Sequence, residues 1–318
     1  MYVSDMAHEL ITTPATLAHY TPTASRLVEV FLSGKSGRTL RAYGLDLQDF
    51  ATFVGAESTE KAAEALLARG HGAANELALG WRANLLERGL SPATVNRRLA
   101  ALRSLVKLAR TLGMVPWSLE LAGVASAKYR ETKGPGRAGF RTLLDLTEKD
   151  ATPKGLRDRL VLRLLWDLAL RREEVVSLDV ANVDLVAGTV SILGKGRRER
   201  ETLTLPATTV AALRTWLAVR GATPGPLVVN VDRRTKGERL TGAGLYHLVQ
   251  ALGRRAGLTV RPHGVRHAAI TEALEKTGGN VRAVQRFSRH RDLRTLTTYD
   301  DNRADLAGEV AALVAGAA

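Results

Sequence analysis

The stretch Thr189–Leu205, TVSILGKGRRERETLTL, decides how this chain folds. Its two ends, TVSIL over Thr189–Leu193 and ETLTL over Glu201–Leu205, alternate apolar and polar residues with the period of two expected of half-buried strands. The intervening Gly194-Lys195-Gly196-Arg197-Arg198-Glu199-Arg200 is too polar and glycine-rich to continue either run, so the stretch reads as a hairpin with a basic tip. On both sides the periodicity becomes helical, over Phe140–Asp145 and Lys154–Leu170 before it and Ala207–Arg220, Gly242–Gly257 and Gly264–Lys276 after it. Leu227–Val231 reads as a third short strand. Helices around one small antiparallel sheet make this half α+β, mainly α, rather than a doubly wound fold.

Further upstream no window alternates in this way. Thr39–Val54 (TLRAYGLDLQDFATFV) places Leu40, Tyr43, Leu47, Phe50 and Val54 three or four residues apart, one apolar stripe on a helix. Ser91-Pro92 opens another helix, with serine as N-cap and proline at the first helical position, and the pattern continues from Ala93 to Leu112. In it Val95, Leu99, Leu102, Val106 and Leu108 form a packing face, which leaves Arg97, Arg98, Arg103, Lys107 and Arg110 largely on another. Ser58–Leu67 and Ala73–Leu86 read as two further helices. Val124–Gly139 (VASAKYRETKGPGRAG) then loses all apolar periodicity and reads as a linker. The expected organisation is a tail over 1–22, an all-helical domain over 23–123, the linker over 124–139 and a second domain over 140–318.

The 318 residues include 46 Lys+Arg against 32 Asp+Glu, a formal net charge of +14. Both halves are positive, and a sequence pI near 10.5 points to a polyanionic partner as well as a solubilising surface. There is no cysteine, which excludes disulfide-stapled modules, Cys-ligated metals and thiol nucleophiles. Neither a targeting signal nor a membrane span is legible, so the sequence predicts a cytoplasmic protein.

Several residues could carry chemistry. His263-Gly264-Val265-Arg266-His267 places two histidines one helical turn apart, but glycine stands where a zincin needs glutamate, and Arg266 between them would repel a dication. Each histidine could equally cap or pack its helix. Leu170-Arg171-Arg172-Glu173-Glu174 by itself reads as a solvated helix start with acids at the positive dipole end. Gly194-Lys195-Gly196 alone is a turn, His290 alone a surface or capping histidine, and Tyr299 alone a half-buried aromatic. Together they suit metal-free work on a phosphodiester. Arginines fork onto its oxygens, imidazoles add hydrogen bonds, a lysine protonates a leaving alkoxide and a tyrosine attacks phosphorus.

The ordered set Arg171, Lys195, His263-x-x-Arg266, His290 and Tyr299 resembles the tyrosine recombinase (phage integrase) family, particularly its Xer-like bacterial members. Arg171-x-x-Glu174 is similar to the family's first motif, and the nine-residue step from His290 to Tyr299 to its last two. Thr39–Phe53 and Ser91–Gly113 resemble its helical core-binding domain, so the likeness extends from about Thr23 to the C-terminus. Three departures stand out: Ala169 for the glycine before Leu170-Arg171, Ser288-Arg289 for Leu-Gly before His290, and Asp300-Asp301 after Tyr299.

The resemblance implies a site-specific recombinase that needs neither metal nor ATP, nor any other cofactor. Tyr299 is then the nucleophile, Lys195 the acid, and Arg171, Arg266 and His290 stabilise the transition state. His263 helps move the proton, while Glu174 and His267 orient their neighbours. DNA contacts are expected from Arg97, Arg98, Arg103, Lys107, Arg197 and Arg198. The implied partner is double-stranded DNA with inverted half-sites, held by a tetramer of this chain alone or with a second recombinase. Leu306–Val314 (LAGEVAALV) would be a C-terminal helix that packs on its own domain or docks into a neighbouring protomer. A type IB topoisomerase-like enzyme and a DNA-binding accessory protein without activity are the competing readings.

Overall fold

The computed structural model describes residues 22–33, 37–125, 134–194, 199–290, 292–293, 296 and 314–316. The chain divides into two compact units, residues 1–128 and 129–318. The boundary falls inside the stretch read as a linker.

The regular elements described in the first unit are all helices: α1 (Ala24–Ser33), α2 (Gly37–Val54), α3 (Thr59–Leu67), α4 (His71–Glu87) and α5 (Pro92–Thr111). Local signals set several ends. The Ser58 hydroxyl accepts the Lys61 N–H at the start of α3, and Ser91 accepts the Thr94 N–H ahead of Pro92 in α5. The core collects Leu27, Phe31, Leu47, Phe50, Leu66, Trp81, Leu85, Leu99, Leu102 and Val106, with Phe50 and Trp81 meeting edge to face at 5.0 Å. The expected α2 stripe is shorter than its sequence pattern: Leu40 is 38% exposed, and inward packing begins at Tyr43, which stacks on Phe31.

The second unit holds α6 (Gly136–Glu148), α7 (Pro153–Asp167), α8 (Arg172–Val176), a 3-10 turn at Val180–Asn182, β1 (Val183–Asp184), β2 (Thr189–Leu193), β3 (Arg200–Thr204), α9 (Ala207–Arg220), α10 (Gly242–Arg255), α11 (Pro262–Lys276) and α12 (Val281–Ser288). The three strands form one antiparallel sheet in the order β1-β2-β3, with Val190 opposite Leu203 and Ile192 opposite Glu201. Val190 and Ile192 point into a core built by α6, α7, α9, α10 and α11 around Leu160, Leu164, Leu213, Trp216 and Val249.

Three expectations are corrected here. Leu227–Val231 is not a strand of the sheet. Leu227, Val228 and Val229 are all buried, so their burial does not alternate. The Leu227 N–H goes instead to the Leu178 carbonyl, and Asn230 N–H to Glu238 in a tight loop. The third strand is β1, whose two residues are too few to display a period. The linker is shorter than 124–139, because α6 begins at Gly136, directly after Pro135, and buries Phe140, Leu143 and Leu144. Finally, α7 stops at Asp167 and not at Leu170, since Ala169 takes a left-handed backbone conformation (φ 44°) that no α-helix can continue.

Among the described residues no helix is long and apolar enough to cross a membrane.

Candidate active site

The turn at Ala169 brings the chain back so that Arg171 becomes the N-cap of α8. The Arg171 backbone N–H and its Nη1 donate to the two oxygens of the Glu174 carboxylate, at 2.8 and 2.7 Å. Glu174 is only 3% exposed, so it is a buried counter-charge and not the solvated helix start its motif alone suggests. Burial by itself would raise its pKa. Arg289, together with the Arg171 N–H and guanidinium, outweighs this and holds the carboxyl below its ordinary value.

Arg266 lies one turn into α11 and is 3% exposed. Its two terminal nitrogens donate to the backbone carbonyls of Ala169 and Ser288, which ties α11 to the turn before Arg171 and to the end of α12. The N-terminal turn of α11 is itself pressed against the incoming chain. A Cβ on Gly134 would overlap the Gly264 carbonyl, so glycine is required at that approach.

Arg289 closes α12 in the left-handed conformation (φ 57°) and turns its side chain inward. It donates to the carbonyls of Leu168, Phe287 and Ala169 at 3.0, 2.9 and 2.9 Å, and to Glu174 Oε2 at 3.1 Å. Its own carbonyl accepts Arg171 Nη2 at 3.2 Å. The next residue, His290, has Nδ1 at 3.0 Å from the Ser288 hydroxyl, and its carbonyl accepts the Gln285 amide.

Arg171, His263, Arg266 and His290 therefore come together from three separated stretches of chain, close enough to perturb one another's charge. His290 is pushed down to about 4, first by burial and then by Arg266, Arg171, His263 and Arg289. His263 opens to solvent on one side. The protein mass on its other side, followed by the charges of Arg266 and Arg171, also holds it below its ordinary value. Both imidazoles are thus neutral at pH 7 and act as hydrogen-bonding groups. Arg171 and Arg289 share the Glu174 carboxylate while Arg266 is held by neutral carbonyls, a positive surplus that suits a phosphate. His267 is half-buried one turn further along α11 and makes contacts of its own. Among the described residues no cluster of three or more His, Asp or Glu side chains could hold a metal ion.

Lys195, Arg197, Arg198 and Tyr299 lie outside the described residues, as does Leu306–Val314 apart from Val314. In the first unit, the arginines expected at DNA are held by other partners. Arg97 pairs with Asp46 at 2.6 Å, Arg98 with Asp49 at 2.6 Å, and Arg103 donates to the Leu121 carbonyl at 2.5 Å. Lys107 is exposed.

Sequence reading missed the role of Arg289, which registered only as an added cation. The available signal was a pair of departures. Ala169 and Arg289 both replace glycines of the family pattern, both adopt positive φ, and they are hydrogen-bonded to each other.

Comparison with known proteins identifies the family. The profile of the phage integrase family matches residues 139–305. A tyrosine recombinase of Synechocystis sp. is 41% identical over 283 residues, covering 87% of this chain and 90% of that protein. Tyrosine recombinase XerC of Pelobacter propionicus is 31% identical over 285 residues, covering 86% and 88%. Among solved structures, the XerH site-specific recombinase bound to palindromic difH substrate in a post-cleavage complex superposes with a TM-score of 0.66 at 21% identity, over 91% of this chain and 84% of that one.

Proposed function

Because this chain belongs to the phage integrase family, we propose that it is a tyrosine site-specific recombinase acting on double-stranded DNA. The observation that carries the reading is the convergence of Arg171, Arg266, His263 and His290 on one electropositive site with two neutral imidazoles.

In this mechanism the scissile phosphate is held by the Arg171 and Arg266 forks and by His290. The Tyr299 oxygen attacks phosphorus, the bond from phosphorus to the 5′-oxygen breaks, and a 3′-phosphotyrosyl ester forms. The tyrosine proton passes towards His263, which as a neutral imidazole has a lone pair to receive it. Lys195 protonates the departing 5′-oxygen. Guanidiniums fixed before the reaction stabilise the charge that builds on the phosphoryl oxygens, so the site needs no metal or other cofactor for that task. The ester retains the energy of the broken bond, and reversal with a new 5′-hydroxyl joins strands without ATP. Exchange between two duplexes calls for four protomers on paired inverted half-sites, all of this chain or shared with a second recombinase. The Leu306–Val314 segment docks either on its own domain or into a neighbour. Lys107, with Arg197 and Arg198, supplies DNA contacts away from the scissile phosphate, and His267 orients its neighbours in the site.

Selection from random-sequence duplexes, followed by footprinting, should return inverted half-sites around a short spacer. On a suicide duplex nicked beside the cleavage position, the wild-type chain should form a covalent adduct and Tyr299→Phe none. Tight binding without any adduct would mean a DNA-binding accessory protein. Relaxation of plasmids lacking a specific site would mean a topoisomerase.

A further inference from the structure

We propose that Arg289 is a positioning residue for the phosphate-facing groups, its buried guanidinium locking the Ala169–Arg171 turn, Glu174 and the end of α12 into one unit immediately before His290. The proposal rests on the functional reading above and extends it to a residue outside the expected catalytic set.

The backbone at position 289 is left-handed, a conformation that glycine adopts freely and arginine only against steric resistance. A surface arginine there would wave into solvent. This one turns inward until its side chain is 4% exposed, and exchanges water for three backbone carbonyls and a carboxylate. Two of its four acceptors are ones that Arg171 and Arg266 also use. The Ala169 carbonyl takes Arg266 as well, and Glu174 takes Arg171 as well. Through its own carbonyl, Arg289 receives Arg171 a second time. Its Nε is buried without a hydrogen-bond partner, a cost accepted for the placement of the two terminal nitrogens. A cap that served helix α12 alone would need none of these links; glycine would serve better.

Removal of the guanidinium should therefore loosen Arg171, Arg266 and His290 relative to one another, with DNA still bound by the rest of the surface. The charged and titratable groups around His290 are Arg266 and His263 of α11, Arg171 with Glu174 at α8, and Arg289 itself. Loss of Arg289 should also be visible at His290 in the free protein.

The test uses the full chain as wild type, Arg289→Gly and Arg289→Lys. Glycine restores the relaxed backbone, so a folding defect is countered in that variant, and lysine keeps a charge while losing the fork. On the duplex recovered by selection, the Arg289→Gly cleavage rate at saturating DNA should fall on the order of tenfold to a hundredfold, as for loss of other outer partners of reactive groups, with half-saturation little changed. Guanidinium ion at millimolar concentration should restore much of it, and Arg289→Lys should remain impaired. Cleavage by Arg289→Gly within about twofold of wild type would overturn the proposal, and so would a loss confined to DNA affinity. Histidine ring resonances, followed by NMR across pH without DNA, give a readout independent of cleavage. His290 should titrate higher in Arg289→Gly than in wild type, because one neighbouring cation is gone. An unmoved titration would also overturn the proposal. If the wild type forms no adduct, the functional reading fails, and the NMR titration alone still decides the role of Arg289. If Arg289→Gly does not fold, the cleavage rate of Arg289→Lys at saturating DNA decides it, and a rate within about twofold of wild type would overturn the proposal.

Discussion

Each unit of this chain contains a buried knot of arginines and acids, and the two knots are balanced differently. In the first unit Asp46 and Asp49, 1% and 14% exposed, are shared among Arg88, Arg97 and Arg98 across α2, α4 and α5. Trp81 adds its indole N–H to Asp49 at 3.2 Å. In the second unit the single carboxylate of Glu174 serves Arg171 and Arg289 beside Arg266, and the remaining acceptors are neutral carbonyls. Acid nearly matches base in the first knot, so the two carboxylates largely balance its arginines and the pairs join helices. In the second, backbone carbonyls satisfy the geometry of the guanidiniums without cancelling their charge. The same side chain thus has its charge balanced in one place and left in surplus in the other, according to whether its partners are carboxylates or peptide dipoles.

This contrast can be broken most forcefully at Glu174. Glu174→Ala removes the one counter-charge and strands Arg289 in the interior, with an expected loss of about 3–5 kcal/mol in urea unfolding of the second unit. An effect below about 1 kcal/mol would show that the carbonyls alone sustain the cations. In the first unit Asp46→Asn should cost about 1–3 kcal/mol, because Arg97 and Arg98 retain Asp49 or solvent as alternatives. Its cleavage rate at saturating DNA should be unchanged; a fall in that rate would mean that the first knot also serves the chemistry. The smallest effect is expected at Ala169. Glycine there relieves a left-handed strain of about 1 kcal/mol and forfeits a fully buried methyl worth about as much. Thermal unfolding of Ala169→Gly should therefore lie close to wild type, and a large loss would show that packing against Ala269, Ile270, Val284 and Leu296 dominates the turn.

The legible parts of this structure were those written in local chemistry. Ser91-Pro92 announces the start of α5, and the alternation of Thr189–Leu193 announces β2, because caps and burial periods act within a few residues. The grouping of Arg171, His263, Arg266 and His290 was legible through their order along the chain. What stayed hidden depends on distant partners. Nothing near Glu174 says that Arg289, 115 residues away, will bury it. Nothing in Ala-Leu-Arg announces a left-handed alanine whose carbonyl two guanidiniums hold. The apolar run Leu227–Val231 misled for the same reason, since its backbone partners lie in loops and not in a neighbouring strand.

The Ala169 carbonyl has one further consequence. A single oxygen accepts both Arg266 and Arg289, so its two lone pairs form a common mounting point. The two arginines therefore share one anchor, and a shift of the Ala169 peptide reaches both guanidiniums through the same atom.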